Sequence, residues 1–96
     1  METSDAAATE RAWLGAVGER LAAGGSPIPP PADADVRLLL RVTKITADVT
    51  GVRYLAPLTA YMIGLAGGNA APGAFDMKRA VEEISRLAEG WERPAD

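Results

Sequence analysis

The sequence has 96 residues, of which 13 are acidic and 10 are basic, and its net charge is −3 at neutral pH. It contains no cysteine, which excludes disulfides, thiolate catalysis and cysteine metal sites, and no histidine, the commonest general base and metal ligand. A net negative chain offers no bulk attraction to nucleic acid or to an anionic membrane, so we expect neither as a partner.

The N-terminal letters METSDAAATERAW predict no export signal, because they lack the basic and apolar regions of a secretory leader. The longest apolar run, residues 55–66, is 12 residues long and contains Pro57 and Gly64. A membrane-spanning helix needs about 20 apolar residues. We therefore expect a cytoplasmic protein that does not enter a membrane.

The first predicted helix covers about residues 4–23. Trp13, Val17 and Leu21 recur at intervals of four residues, which is the spacing of one helical face. The pair Gly24–Gly25 then ends the helix, because glycine readily adopts the left-handed conformation that closes helices.

A Gly/Pro-rich linker follows at residues 24–34. Its prolines exclude a helix, and the three consecutive prolines favour a polyproline II path. The segment fits a proline-rich ligand for a partner domain, but a stiff connector with Ile28 held against the core is the interpretation we favour.

The second predicted helix starts near Asp33 or Asp35, both favourable N-caps, and ends near residues 49–50. Its second half, VTKITADVTGV, is rich in β-branched residues and would also suit a strand. Strand alternation from Val42 would bury Lys44, whereas the apolar residues of this segment recur at steps of three and four. The spacing therefore favours a helix.

The third predicted helix lies within RYLAPLTAYMIGLAGG, residues 53–68. Pro57 suits a first helical turn, where its missing N–H is not needed, and Gly67–Gly68–Asn69 end the helix. No charged residue follows Arg53 in this stretch. A helix that is apolar on every side belongs inside a bundle or in an interface between subunits, so we predict that this helix is the central one.

The fourth predicted helix begins after Asp76, a favourable N-cap, and ends before Gly90 and Pro94. Apolar residues recur from Met77 to Trp91 at steps of three and four, and charged residues occupy the other positions. This is the pattern of an amphipathic helix with one face on a core.

The predicted fold is all-α, a small bundle of about four helices around a central apolar helix. We expect a single domain spanning residues 1–96, with its core at about residues 8–92 and the linker at residues 24–34. A chain of this length buries only about 60–65% of its unfolded surface, so its stability margin is small.

The sequence predicts no catalytic residue. Its serines have no histidine to act as a base, and Glu82 and Glu83 lie on different sides of one exposed helix rather than facing a cleft. The glycines of GLAGGN close a helix instead of opening one, so they do not form a phosphate-binding loop. Asp33 and Asp35 are explained as helix caps. We therefore expect no metal site, no cofactor and no enzyme.

One polar feature is a candidate binding site. Three bases lie on one face of the second helix, and an arginine and a tyrosine follow at the turn into the third. Such a set could hold a phosphate-bearing ligand or an acidic partner surface. The structural alternative is a solvated face on which Lys44 pairs with Asp48. The candidate residues, called the basic stripe below, are Arg37, Arg41, Lys44, Arg53 and Tyr54.

Two motifs carry a resemblance to a known family. The stretch TAYMIGLAGG and the tail LAEGWERPAD resemble the APLTAYLLG core helix and the LAEGWDRPAD tail of a family of small, uncharacterised actinobacterial helical proteins. Relatives occur alone or linked to the molybdenum-cofactor guanylyltransferase, which makes molybdopterin-guanine dinucleotide. The chain departs from the family before the core helix, where Arg53–Tyr54 replaces Arg-Pro. The matching residues are Ala56–Tyr61, Gly64, Ala66 and Gly68, and in the tail Leu87–Trp91 and Arg93–Asp96.

The resemblance implies a helper for molybdenum-cofactor proteins, since the guanylyltransferase reaction needs a nucleotide-binding α/β domain that this sequence lacks. We therefore expect a non-catalytic accessory or protein-interaction module, with the guanylyltransferase or a molybdoenzyme as its partner. Two alternatives stay open. One is a self-associating structural module that forms a homodimer, and the other is a binding domain that holds an anionic cofactor or nucleotide on the basic stripe.

Overall fold

The computed structural model describes residues 2–94, with the side chains of residues 5–94. This part of the chain contains no β-strand, which confirms the predicted all-α class and the number of helices. The helices are α1 (Glu2–Ala23), α2 (Asp33–Thr50), α3 (Leu55–Asn69) and α4 (Met77–Glu89).

The chain divides into two compact units, Met1–Ala32 and Asp33–Asp96. The boundary falls two residues before the end of the predicted linker, because Asp33 and Ala34 already belong to α2. That both units belong to one domain stays a prediction.

The first unit consists of α1 and the linker. Two backbone bonds close the helix where the sequence predicts its end: the Gly24 amide donates to the Leu21 carbonyl at 3.1 Å, and the Ser26 amide donates to the same carbonyl at 2.9 Å. Gly25 between them has a positive φ of 93°, which glycine adopts without a steric penalty. Ile28, in the linker, is exposed, and the expected contact of Ile28 with the core stays a prediction.

Helix α2 contains the segment that also suited a strand, and the helical interpretation is confirmed. Its threonines donate their hydroxyl hydrogens to the preceding turn: Thr46 Oγ1 bonds to the Val42 carbonyl at 2.8 Å, and Thr50 Oγ1 bonds to the Thr46 carbonyl at 2.7 Å. Such bonds satisfy a hydroxyl within the helix. They allow Thr46 to be buried beside Val42.

The core of the second unit takes one buried apolar side chain from each of its helices: Val42 from α2, Ile63 from α3 and Val81 from α4. Helix α2 packs against both α3 and α4, while α3 and α4 touch each other only over a short stretch. The residues packed around the three buried side chains are Leu38, Leu39, Phe75, Met77 and Ile84.

The innermost helix of this unit is therefore α2, whereas the sequence predicts α3 in that position. Ile63 is the one buried residue that α3 contributes among the described residues, and Tyr61 and Met62 are 64% and 68% exposed. The physical reason is that α3 is apolar on every side. Its sequence therefore does not indicate which side faces the core.

Helix α4 begins and ends as predicted. The Asp76 carboxylate accepts a hydrogen bond from the Arg79 amide at 3.2 Å, as an N-cap does, and Gly90 follows the last helical residue. Val81 is buried, but Leu87 and Trp91, which continue its apolar face, remain exposed. The apolar face of α4 is thus longer than the surface that α2 and α3 cover.

Candidate functional site

An open apolar groove of about 540 Å³ lies within the second unit, between α3 and α4 and beside the C-terminal half of α2. It exists because α3 and α4 diverge from a common contact with α2. Its volume is in the range of protein ligand sites, about 300–1,000 Å³. The lining residues are Thr46, Val49, Thr50, Leu55, Thr59, Met62, Ile63, Ala66, Ala80, Glu83, Ile84, Leu87, Ala88 and Trp91.

The threonines of the groove offer few free donors to a ligand. Thr46 and Thr50 donate within α2, and Thr59 Oγ1 donates to the Leu55 carbonyl at 2.8 Å. Their hydroxyl hydrogens are therefore already bonded within the helices. A polar ligand would lose its own hydration in the groove without gaining these donors in return.

Among the residues that the structure describes, the one charged residue that lines the groove is Glu83, and it is paired. Its carboxylate accepts a bond from the Arg86 guanidinium one turn later on α4, and both side chains are exposed at the edge of the groove. An exposed pair of this kind contributes at most about 1 kcal/mol. The pairing with Arg86 does, however, compensate the charge of Glu83, so no unpaired charge from this residue faces the apolar lining.

The C-terminal tail contributes Trp91 to one end of the groove. Trp91 lines it, and two residues later Arg93 reaches the end of α2, where its Nε donates to the Val49 carbonyl at 3.3 Å and its Nη2 to the Asp48 carbonyl at 3.5 Å. The last carbonyls of a helix lack partners within the helix and carry its negative dipole end, so a guanidinium suits them. The tail motif of the sequence therefore has a structural role here.

Gly51 lies directly under the Arg93 guanidinium. A Cβ atom at this position would lie 3.0 Å from Arg93 Cζ, and the φ of Gly51 is +74°. The positive φ favours glycine, because a side chain would strain the backbone, and a Cβ atom would also push the guanidinium aside by a few tenths of an ångström.

The groove fits an apolar helix better than it fits a polar ligand or an extended peptide. It runs beside residues 55–66 of α3, a length of about 17 Å at 1.5 Å per residue. That length receives about three turns of a helix, whose backbone bonds are internal and which presents apolar anchors at i, i+4 and i+7. An extended peptide would bring unpaired backbone groups into an apolar lining.

The basic stripe is distributed over two elements. Arg37, Arg41 and Lys44 are exposed on α2, and Arg53 and Tyr54 are exposed in the turn before α3. Lys44 Nζ lies 2.9 Å from Asp48 Oδ2, so the ion pair of the structural alternative is present. A role of the basic stripe in binding stays a prediction.

Two further observations concern the part of the chain that the structure describes. It contains no group of three or more His, Cys, Asp or Glu residues placed to hold a metal ion. None of its helices combines the length and the apolar character needed to cross a membrane.

The groove was not predicted from the sequence. Ile84 and Leu87 on α4 and Trp91 after it were expected to face a core, because the periodicity of an apolar face does not say what covers it. The length of the apolar face of α4 could have indicated the groove, because this face extends to Trp91, beyond the end of the helix at Glu89.

Fold and groove together define a small all-α protein with an apolar, helix-lined surface. The chain belongs to the DUF6457 family, described as a domain of unknown function, which matches residues 5–96. No curated protein and no solved structure matches the chain.

Proposed function

We propose that this chain is a non-catalytic accessory module that binds an amphipathic helix of a partner protein in the groove between α3 and α4. We further propose that it serves molybdenum-cofactor proteins in the cytoplasm of an actinobacterial cell. The partner is then the molybdenum-cofactor guanylyltransferase or a molybdoenzyme.

The observation that carries the interaction role is the apolar groove itself. Leu87 and Trp91 remain exposed at its rim, and its threonine hydroxyls are bonded within the helices. Burial of a half-exposed leucine or tryptophan releases apolar surface from water, at about 25 cal/mol per Å². The molybdenum-cofactor partner is supported by the resemblance of the two sequence motifs.

Leu87 provides the first test. Replacing Leu87 with glutamate places a charge in the groove, so we expect at least a tenfold loss of affinity for the guanylyltransferase, as for a central apolar anchor. Complex formation is measured by size-exclusion chromatography with light scattering and by isothermal titration calorimetry. The wild-type chain should co-elute with the guanylyltransferase.

The matched control is Leu40→Glu, because Leu40 is 53% exposed, against 58% for Leu87, and does not line the groove. This variant should bind as the wild type does. Equal binding by both variants would place the contact elsewhere. If the wild-type chain binds neither the guanylyltransferase nor a molybdoenzyme, the molybdenum-cofactor role is wrong.

A second proposed function is binding of an anionic cofactor or nucleotide on the basic stripe. It is supported by the exposure of Arg41 on α2 and of Arg53 in the turn between α2 and α3. Inorganic pyrophosphate, used as the probe, should raise the thermal midpoint of the wild-type chain. The double variant Arg41→Glu/Arg53→Glu should lose that shift, whereas Arg11→Glu/Arg20→Glu on α1 should retain it. A shift that survives the first double variant would contradict this function.

Self-association is the third proposal. It uses a different surface of α3 from the groove and is developed in the next subsection.

A further inference from the structure

Helix α3 has a second apolar surface on the side opposite to Ile63, called the outer seam below. Successive residues of a helix are rotated by about 100°, so positions spaced four, three, four and three apart share one narrow face. Tyr54 precedes the helix with a nearly helical backbone, φ −70° and ψ −9°, and continues this face. The members of the outer seam are Tyr54, Leu58, Tyr61, Leu65 and Gly68, and all are exposed.

The outer seam has the spacing of a two-helix interface. Alternating steps of four and three residues produce the a and d positions through which two helices pack against each other. Leu55–Asn69 contains no charged residue. Two copies of this helix therefore meet without like-charge repulsion, although the whole chain carries a net charge of −3.

Two glycines of α3 make a close approach possible. A Cβ at Gly64 or at Gly68 would meet nothing within 4 Å, whereas a Cβ at Gly67 would lie 3.2 Å from the Phe75 ring. Packing within the chain thus explains why position 67 is a glycine, but it does not explain the glycines at positions 64 and 68. Because glycine is less favourable than alanine inside a helix, the open position at Gly64 is consistent with a surface that another backbone approaches.

We propose that the outer seam is the interface of a weak homodimer, in which α3 packs against α3 of a second copy across a two-fold axis. A two-fold interface uses the same patch on both copies, so the patch must complement itself. The outer seam meets this condition, since one helix provides the projecting tyrosines and leucines of the seam together with the flat positions of Gly68 within it and Gly64 at its border.

The size of the outer seam sets the strength of the dimer. If a fully exposed aromatic side chain offers about 200 Å², the seam offers roughly 400–500 Å² per copy. A standard interface buries about 800 Å² per partner. The seam therefore suits a dimer that dissociates in the micromolar range rather than a permanent one. This inference goes beyond the partner-binding groove, because the outer seam and the groove lie on different sides of α3.

Neighbouring residues of α3 provide the test. Tyr61 lies on the outer seam and Met62 lines the groove, with similar exposed fractions of 64% and 68%. Sedimentation velocity of the full chain from about 5 to 500 µM should show a concentration-dependent dimer. Tyr61→Glu should weaken the dimer at least tenfold, and Met62→Glu should change its dissociation constant less than threefold. Circular dichroism confirms that both variants fold.

Any result other than these contradicts the proposal that the outer seam is the interface. A wild-type chain that stays monomeric over this range has no such dimer. A dimer that survives Tyr61→Glu uses another surface, and one that Met62→Glu disrupts uses the groove. The two proposals remain separable, because Met62→Glu should lose the partner helix and keep the dimer, while Tyr61→Glu should do the reverse.

Discussion

Val42→Asp should abolish the cooperative unfolding transition of the second unit. Val42 is 0% exposed and contacts the core that Ile63 and Val81 complete. The substitution loses the burial of a valine, about 1.5–3 kcal/mol, and buries a carboxylate with no ion-pair partner, which costs several kcal/mol more. Small domains have about 5–15 kcal/mol of stability, and a unit with three buried apolar side chains among its described residues lies near the lower end. Urea unfolding followed by circular dichroism measures the effect.

Leu40→Asp is the matched control for this prediction. Leu40 lies on the same helix, about half a helical turn away, and is exposed. We expect its free energy of unfolding to change by about 0.5 kcal/mol or less, as surface substitutions usually do. A cooperative transition retained in Val42→Asp at normal amplitude would show that α2 is not the centre of the core.

The bounds of the helices were predictable because their signals are local. Gly24–Gly25 end α1, Asp76 caps α4, and each acts through backbone bonds within a few residues. The helical state of α2 was also predictable, since the spacing of its apolar residues outweighed its β-branched composition. The β-branched residues Thr46 and Thr50 fit within this helix because their hydroxyls bond to carbonyls of the preceding turn.

The arrangement of the helices was less predictable because it depends on contacts between distant residues. The absence of charge on α3 indicates that several of its sides avoid water, but it does not select the side that packs on α2. A single residue, Ile63, makes that selection. The sides of α3 that do not pack on α2 form the outer seam and line the groove. Because α3 is apolar on every side, both of these exposed surfaces can associate with another molecule.

The candidate site was predictable only in part. Charge and spacing placed three residues of the basic stripe on one face of α2, and the structure has Arg37, Arg41 and Lys44 exposed on this helix. The pairing of Lys44 with Asp48 was foreseen as the structural alternative. The groove was not foreseen, because it arises from the divergence of α3 and α4. That divergence depends on how three helices pack together, so the sequence pattern of any single helix does not indicate it.

The tail motif shows a contact that no local pattern reveals. Arg93 is separated from Val49 by 44 residues, yet it donates to that carbonyl at the end of α2. Gly51 has to be small and left-handed at the same point. A motif in the tail and a glycine after α2 are therefore parts of one structural feature, which also positions the segment that follows Trp91 at the end of the groove.

Gly51→Ala should destabilise the second unit by about 2–3 kcal/mol. About 1–2 kcal/mol comes from the left-handed backbone, and the remainder from displacing the Arg93 guanidinium from the helix end. Gly73→Ala is the control, because Gly73 has a similar φ of +78° and a Cβ there would meet nothing within 4 Å. It should cost only the backbone part, about 1–2 kcal/mol.

A double-mutant cycle separates the two contributions to the Gly51 effect. In an Arg93→Ala background the guanidinium is absent, so Gly51→Ala should cost no more than Gly73→Ala, which corresponds to a coupling of about 1 kcal/mol between Gly51 and Arg93. The free energies of unfolding of all variants are measured by urea titration. Equal costs of the two glycine substitutions in the wild-type background would mean that Arg93 does not rest on Gly51 in solution. The tail would then not be what fixes the end of the groove.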